Sequence, residues 1–336
     1  RYISVTGVQT CALPIWSFSD ANRSAVPIVV LGANGIEHQA EDNVSGRLVY
    51  EIFPAISAGY TFGLFVNDDG STVNSYLRNG AGQPVYSGSL NINGRAYNIA
   101  PSAFSNSVYR LNETQLAQGL SVGSHTGSAF DFEVVGTLFN YITSQQRVPS
   151  GALPVAFTGG AGSTSNLDGT GWYTLDAKVT WKPLGDLHVV TFGAHEDRFK
   201  LSNPKYALTD WVAGSTGTLQ TGNYGKTKTD AFWLQDVWAV TPFVKATFGG
   251  RYERWRAYDG SNCSLSPVLN TIQPALSADT FSPKLVLAYQ PVDEWTIKGS
   301  VGIANRFPTV TELYQAVTTG TTLSRSEEHT SELQSH

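Results

Sequence analysis

The sequence has no methionine, few cysteines and few charged residues. Its 336 residues contain two cysteines and 15% charged side chains, against about a quarter in typical soluble domains. Two cysteines exclude a disulfide framework and a zinc site built from cysteines. The net charge of −5 gives no electrostatic case for a nucleic-acid partner. No stretch reaches the roughly 18 apolar residues of a membrane-spanning helix.

The two ends of the chain are related through their DNA. The final residues, RSEEHTSELQSH, can be back-translated into a string whose reverse complement encodes VTGVQTCALPI, residues 5–15. Natural gene ends have no reason to be reverse complements, whereas a DNA piece ligated to both ends of a fragment does, and the string is similar to a sequencing adapter. We therefore expect 1–15 and 325–336 to be adapter-like artefacts flanking a protein-derived part, 16–324. Cys263 is then its single cysteine, and any disulfide partner would lie outside this sequence.

Glycine and aromatic residues are abundant, and apolar residues alternate with polar ones. The 33 glycines and 12% aromatic residues accompany a period of two, which predicts strands with two different faces. We expect about ten strands, the weaker ones near 117–126, 187–201 and 227–240. The clearest strands carry alternating apolar residues: Leu48, Tyr50, Ile52, Ile56; Tyr60, Phe62, Leu64, Val66; Phe130, Phe132, Val134, Leu138; Tyr173, Leu175, Ala177, Val179, Trp181; Val244, Ala246, Phe248, Tyr252; Leu285, Leu287, Tyr289; and Trp295, Ile297, Val301, Ile303.

Short turns alternate with long polar connections along the chain. This sorting is typical of outer-membrane barrels, in which one rim has tight turns and the other has long extracellular loops. The apolar face of each strand would then contact lipid, and the charged positions would line the lumen. The predicted turns lie near 57–58, 126–128, 182–186, 241–242 and 291–294, and the predicted loops at roughly 68–116, 143–171, 202–226 and 259–280. The candidates for interfacial aromatic girdles are Tyr50, Tyr60, Trp181, Trp238, Trp255 and Trp295.

Several segments, in this order, resemble one family. They are AFWLQDVWAVT (231–241), FGGRYERWRAYDG (248–260) and FSPKLVLAYQPVDEWTIKGSVGIANRFPTVTELYQ (281–315), and they are similar to strands of TonB-dependent outer-membrane receptors. YLRNGAGQPVYSG (76–88) and LDGTGWYTLDAKVTWKP (167–183) also resemble parts of that family. The resemblance implies an all-β fold, a partial transmembrane antiparallel barrel of about ten strands from a parent of about 22. It also implies that the plug domain and the remaining strands lie outside this sequence.

The resemblance implies nutrient uptake rather than catalysis. The intact receptor would sit in the outer membrane of a Gram-negative bacterium and capture a scarce extracellular ligand, most often a ferric siderophore. A TonB-type periplasmic partner would drive release through the missing N-terminal region. The expected partners are therefore outer-membrane lipid, the small ligand and the TonB-type protein, with no nucleic acid and no cofactor. Two alternatives stay open: a small outer-membrane barrel enzyme, and a secreted soluble β-domain for adhesion or carbohydrate binding.

Histidines and carboxylates give the only catalytic or metal hypotheses. His188 and His195 stand on one predicted strand at odd spacing, so they point to opposite faces and cannot share a metal ion. His195, Glu196 and Asp197 would suit acid–base chemistry at a barrel rim, but solvated or lumen-lining histidines explain them more simply. We therefore assign no catalytic residue and no metal ligand.

The remaining motifs have structural interpretations. NDDGST (67–72) lacks the spacing of a calcium loop and is interpreted as a plain turn. GGAGSTS (159–165) lacks the lysine of a phosphate loop and is interpreted as a flexible loop. Arg306, Pro308 and Glu312 are expected to fix the exit of a strand into a loop. Ligand-binding residues stay unknown, although loop aromatics are available for contact: Tyr76, Tyr86, Tyr109, Trp211 and Tyr224.

Overall fold

Most of the chain between the two ends is described by a computed structural model. The described residues are 17–18, 29–92, 94–265, 268–314, 316–319 and 322–325. The adapter-like segments predicted at 1–15 and 325–336 lie outside these ranges, apart from Arg325.

Ten antiparallel strands form one continuous sheet, and each pairs with the strand before and after it along the chain. This meander confirms the predicted fold class, an all-β partial antiparallel barrel of about ten strands. The strands are β1 (Gly32–Phe53), β2 (Ile56–Ser75), β3 (Tyr109–Ser124), β4 (Phe130–Pro149), β5 (Gly171–Trp181), β6 (His188–Asp210), β7 (Ser215–Thr241), β8 (Val244–Leu265), β9 (Leu276–Val292) and β10 (Trp295–Gly302).

Shorter elements decorate the loops of this sheet. Within the described ranges, no helix has the length and apolarity needed to cross a membrane. The short elements are the paired strands Gly88–Ile92 and Arg95–Ile99, the strand Gly162–Asn166 between β4 and β6, the strand Val268–Ile272 beside β8, the strand Pro183–Asp186, the pairs Ser17–Phe18 with Val29–Val30 and Ala316–Thr319 with Thr322–Arg325, the 3₁₀ turns Ser105–Ser107 and Val155–Phe157, and the helix α1 (Val310–Tyr314).

The two faces of the sheet differ on the side of the short turns. Strand register places apolar side chains in rows, for example Phe192 beside Leu234 and Phe232 beside Tyr252. Phe232 is 66% exposed and Phe281 is 60% exposed. A contiguous apolar surface is rare on a soluble monomer, and we call this side of the sheet the outward face. The opposite side is the lumen face, and it carries charged residues such as Arg251 and Glu253.

The strands extend further than predicted on the side of the long connections. Segment 202–226, predicted as a loop, continues β6 and β7 as a hairpin that turns at 211–214. Its threonine and tyrosine residues suit a pleated strand, and outside lipid a hydrogen-bonded ladder needs no apolar face. The predicted loops at 68–116, 143–171 and 259–280 shorten in the same way, since β2 ends at Ser75, β3 begins at Tyr109, β4 ends at Pro149 and β8 ends at Leu265. The first short turn lies at 54–55 rather than 57–58.

The two motifs interpreted as a turn and a flexible loop belong to strands. NDDGST (67–72) lies inside β2, where Asn67, Asp69 and Ser71 alternate onto one buried face. The turn prediction was wrong because it weighed polar composition above periodicity. The end of GGAGSTS forms the strand Gly162–Asn166, so only 159–161 form a loop, and its flexibility stays a prediction.

A bulge in the ladder between β3 and β4 shifts the pairing by one residue. Gln115 pairs with Tyr141, but the next pair is Thr114 with Thr143, which leaves Ile142 as an extra residue in β4. A bulge of this kind reverses which side of the sheet the following residues face. Beyond the bulge, Arg110 and Arg147 become direct cross-strand partners.

Five of the six girdle candidates lie on the outward face and are exposed: Tyr50, Tyr60, Trp181, Trp238 and Trp295. The prediction for Trp255 was wrong. Trp255 is 5% exposed and belongs to a cluster with Leu201 and Leu313 on the lumen face. Its position in β8 alternates with Arg254 and Arg256, so Trp255 points to the lumen while these neighbours point outward.

Candidate functional site

A cavity of about 700 Å³ opens at the loop end of β1 to β4. Its walls combine aromatic rings with two guanidinium groups, which is the usual composition of a small-molecule site. The residues that define this loop cavity are Tyr86, Tyr109, Arg110, Arg147, Phe157 and Trp211, with His38, Asp68, Asp69 and Asn112 beside them.

The apolar wall of the loop cavity forms because three connections pack against each other. Tyr86 meets Phe104 and Phe157 edge to face, with ring centroids 5.4 Å and 5.6 Å apart. Phe104 is fully buried, and Trp211 is 3% exposed. The indole Nε1–H of Trp211 donates to the carbonyl oxygen of Ala156 at 2.8 Å, so its polar atom is satisfied on burial. The connections therefore form a fixed wall.

The cationic wall consists of Arg110 and Arg147. Arg147 donates to Asn112 Oδ1 at 2.9 Å and to the carbonyl oxygen of Val212 at 3.1 Å. The guanidinium of Arg110 lies 5.6 Å from the ring centroid of Trp211. Neither side chain forms an ion pair with a carboxylate in the described part of the chain. Like charges placed directly opposite destabilise a sheet, so this pair favours an anionic group in the loop cavity.

Hydrogen bonds fix the polar side chains nearby. The Tyr109 hydroxyl donates to Asp69 Oδ2 at 2.9 Å. Burial, together with this carboxylate, raises the pKa of Tyr109 to about 12, so the phenol remains a donor at physiological pH. Asp69 Oδ1 is buried and accepts no hydrogen bond from the described residues. At the turn 211–214, the backbone N–H of Ala213 lowers the pKa of Asp210, and the charge of Arg110 contributes to the same shift.

Three of the five loop aromatics available for ligand contact line the loop cavity: Tyr86, Tyr109 and Trp211. Tyr76 and Tyr224 do not line it. Sequence reasoning missed Arg110 and Arg147, since each stands alone among polar residues. Only the pairing of β3 with β4, including the bulge, shows that they meet.

The lumen face carries a separate cluster around His195. Its Nδ1 lies 2.7 Å from Asp176 Oδ1, and its Nε2 lies 3.3 Å from Asp197 Oδ2. Glu196 points to the outward face, where its carboxylate accepts a hydrogen bond from the Tyr173 hydroxyl at 2.9 Å. The three residues that suggested acid–base chemistry are therefore divided, with His195 and Asp197 on the lumen face and Glu196 on the outward face. In the ranges that the structure covers, no group of three or more His, Cys, Asp or Glu residues is arranged to hold a metal ion.

Two further predictions concern single residues. His188 is on the outward face, where its Nδ1 lies 2.7 Å from Asp236 Oδ2, so it stands opposite His195 as predicted. Cys263 is a free, half-buried thiol.

The segment after β10 returns to the lumen face, where α1 packs against Leu201, Trp255 and Ala257. Glu312 accepts a hydrogen bond from the backbone N–H of Thr309 at 2.7 Å, and the Thr309 hydroxyl oxygen accepts from the Glu312 N–H at 3.3 Å. These two bonds form a capping box. Arg306 pairs with the same carboxylate. The contacts of Arg306 and Glu312 within their own segment accord with the architectural role predicted for them.

Docking of this segment is expected to weaken in acid. The Thr309 N–H and Arg306 lower the pKa of Glu312 from its ordinary 4.5 to about 2. Because the folded pKa is the lower one, ionised Glu312 stabilises the docked segment above pH 4.5, and this contribution is lost as the pH falls towards 2. Trp255 stacks on Phe307 with ring centroids 5.6 Å apart, so its fluorescence should change over that range. Glu312→Gln should remove most of this change, and a pH profile identical to that of the unmodified protein would contradict the assignment.

Residues 51–328 match the family described as TonB dependent receptor-like, beta-barrel. The chain belongs to this family. The fold is also similar to the ferric citrate transporter FecA in its unliganded form, with 11% identity and a TM-score of 0.54 over 81% of this chain. The ferripyoverdine receptor of Pseudomonas aeruginosa bound to ferripyoverdine has 13% identity and a TM-score of 0.53 over 80% of this chain. No protein of curated function matches the chain in sequence.

The chain spans 36% of the length of each of these two solved structures. Membership confirms the predicted family, and it confirms the predicted location in the outer membrane of a Gram-negative cell. The family consists of receptors and transporters rather than enzymes. The outward face is the apolar side of this receptor barrel, and the loop cavity lies on the side of the long connections.

Proposed function

We propose that the protein is an outer-membrane receptor for nutrient uptake and that the loop cavity is part of its ligand site. The observation that carries this proposal is the cross-strand pair Arg110 and Arg147, whose charges lie side by side at the wall of an aromatic cavity. Asp68 and Asp69 beside the cavity accept hydrogen bonds from Asn112 and Tyr109 and form no ion pair with either arginine. An anionic ligand would accept hydrogen bonds from both guanidinium groups, which donate in a planar fork suited to carboxylates.

The ligand class that fits best is a ferric siderophore. Such a complex offers anionic oxygen groups to the arginines and flat organic surfaces to the half-buried rings of Tyr109 and Phe157. The FecA structure is named for ferric citrate, and the Pseudomonas aeruginosa receptor is bound to ferripyoverdine. Both names support a ferric ligand for a barrel of this fold. The ferric ion arrives as part of the ligand, so the protein needs no resident metal.

Energy for uptake would come from a TonB-type periplasmic partner, as the family description suggests. In this scheme, the cavity selects the ligand on the extracellular side, and the partner acts on a region outside the described strands. The charged lumen face around His195 would then form the wall of the passage.

Loss of the two arginines is expected to abolish selective binding. Each charge-assisted hydrogen bond contributes about 1.5–3 kcal/mol, so Arg110→Gln with Arg147→Gln should weaken binding at least about a hundredfold. Binding to the protein in detergent can be followed by tryptophan fluorescence with ferric citrate and with ferric carboxylate, catecholate and hydroxamate siderophores.

Lys205→Gln with Lys245→Gln is the matched control, because it removes two cations, from β6 and β8, that do not line the cavity. It should leave affinity unchanged. The proposal fails if no ferric complex in the panel binds, or if the double arginine variant binds as tightly as the control.

A further inference from the structure

A band of basic side chains crosses the outward face of β6, β7 and β8. In one row, Arg198 pairs with Lys228, and Lys228 pairs with Arg256. In the next row towards the loops, Lys200 pairs with Lys226. These five residues are the basic band. None of the five lines the loop cavity, and all five lie on the opposite side of the sheet from the lumen.

The basic band lies just beyond the apolar surface of the outward face. Lys228, Asp230 and Phe232 alternate along β7 and therefore share a face. Tyr252 and Arg256 share the same face of β8. Successive rows are about 7 Å apart along a strand. The cations therefore begin within two rows of Phe232 and Tyr252, at the depth where acyl chains give way to headgroups.

Carboxylates neutralise only part of this charge. Glu196 lies 2.9 Å from Arg198 and 3.1 Å from Lys228. Two further ion pairs join Asp230 to Lys228 and Asp259 to Lys226, both at 2.8 Å. Lys200 and Arg256 form no ion pair in the part of the chain that the structure describes. Arg254 lies beside the band and 3.7 Å from Asp279, so six cations face four carboxylates and an excess of positive charge remains.

The cations gather around two adjoining depressions rather than standing separately in solvent. A depression of about 510 Å³ is lined by Arg198, Lys228, Arg256 and Tyr258. A second, of about 320 Å³, is lined by Arg198, Lys200, Lys226 and Tyr258. Both share Arg198 and Tyr258. A group with several acceptor oxygens could therefore bind two or three of these cations at once.

We propose that the basic band binds the phosphate groups of an anionic amphiphile in the outer leaflet of the membrane. Lys200 and Arg256 supply the uncompensated charge, and Arg198 connects the two depressions. The acyl chains of the same molecule would lie along the exposed rings of Phe232, Tyr252 and Phe281. A phosphorylated glycolipid combines both features: phosphate for the band, and chains for the apolar surface directly below it.

The test compares two charge-matched double variants of the protein in detergent. Lys200→Gln with Arg256→Gln removes the two unpaired cations without breaking an internal ion pair. Lys245→Gln with Lys284→Gln removes two cations from the lumen face of β8 and β9 and serves as the control. Native mass spectrometry would measure binding of diphosphorylated lipid A and of the same lipid after removal of its phosphates, with inorganic phosphate as a competitor.

We expect the unmodified protein and the control to bind phosphorylated lipid A at least about tenfold more tightly than the dephosphorylated form. The Lys200→Gln, Arg256→Gln variant should lose this preference and retain weak binding through the acyl chains. Equal binding by both double variants would overturn the proposal. Displacement of lipid by inorganic phosphate at matching concentrations would also overturn it, because the site would then recognise free phosphate.

Discussion

Trp211→Ala is expected to destabilise the loop cavity by about 3–5 kcal/mol and to abolish ligand binding with it. The indole is 3% exposed and packs in the same cluster as Val73, Tyr86 and Leu208. Its loss would leave a void that the surrounding loops cannot fill, and the carbonyl oxygen of Ala156 would lose its donor. Arg110 would also lose the ring beneath its guanidinium.

Hydrogen exchange of loops 76–108 and 150–161 is the direct measurement for this variant. Protection in both loops should fall together, since their rings pack on one another, while β7 and β8 near the short turns should stay protected. Tyr76→Ala is the control, because Tyr76 is 58% exposed and its removal should change little. Unaltered exchange in Trp211→Ala would show that the loops hold their positions without the indole.

Gly225→Ala is expected to release α1 from the lumen face. Gly225 and Gly260 enclose the ring of Tyr314, which is 2% exposed, and a Cβ atom at either glycine would overlap that ring. The backbone on both sides belongs to paired strands and cannot retreat, so the tyrosine must leave. Overpacking of this kind costs about 3 kcal/mol, which is enough to undock a short segment.

Trp255 fluorescence and protease sensitivity of 303–314 would report this release. Gly63→Ala is the matched control, because a Cβ there meets only Ala117 at 3.9 Å. Adding Tyr314→Ala to Gly225→Ala should remove the overlap and restore an undistorted β7, while α1 stays loose. A docked α1 in the single variant would be incompatible with the packing described here.

Much of the sheet follows from the sequence because lipid and lumen impose opposite demands on alternate residues. Phe232 and Leu234 are apolar and exposed on the outward face, and rows of apolar residues on β5, β8 and β9 follow the same alternation. The prediction of strand ends was less accurate where the strands extend beyond the membrane. At 202–226 most side chains are polar or small and the few apolar ones show no sustained alternation, so composition no longer distinguishes a ladder from a loop, and only the backbone pairing does.

The candidate site was less accessible to sequence reasoning. Aromatic residues in loops were recognisable as possible ligand contacts, and Tyr86, Tyr109 and Trp211 do meet. Arg110 and Arg147 could not be paired, because their meeting depends on a bulge that no composition or period signals. Trp255 shows the same limit, since a tryptophan near a strand end suits a membrane girdle and a buried lumen cluster equally well.

The extra residue Ile142 determines which side chains of β4 lie opposite those of β3 beyond the bulge. With the bulge, Arg110 stands opposite Arg147; without it, the regular ladder would bring Gln146 to that place and turn Arg147 to the other side. One codon gained between Thr143 and Gln146, with the bulge kept, would likewise place Gln146 opposite Arg110 and replace a cationic wall by a neutral one. Diversification of ligand preference in such receptors can thus proceed through strand register as well as through substitution.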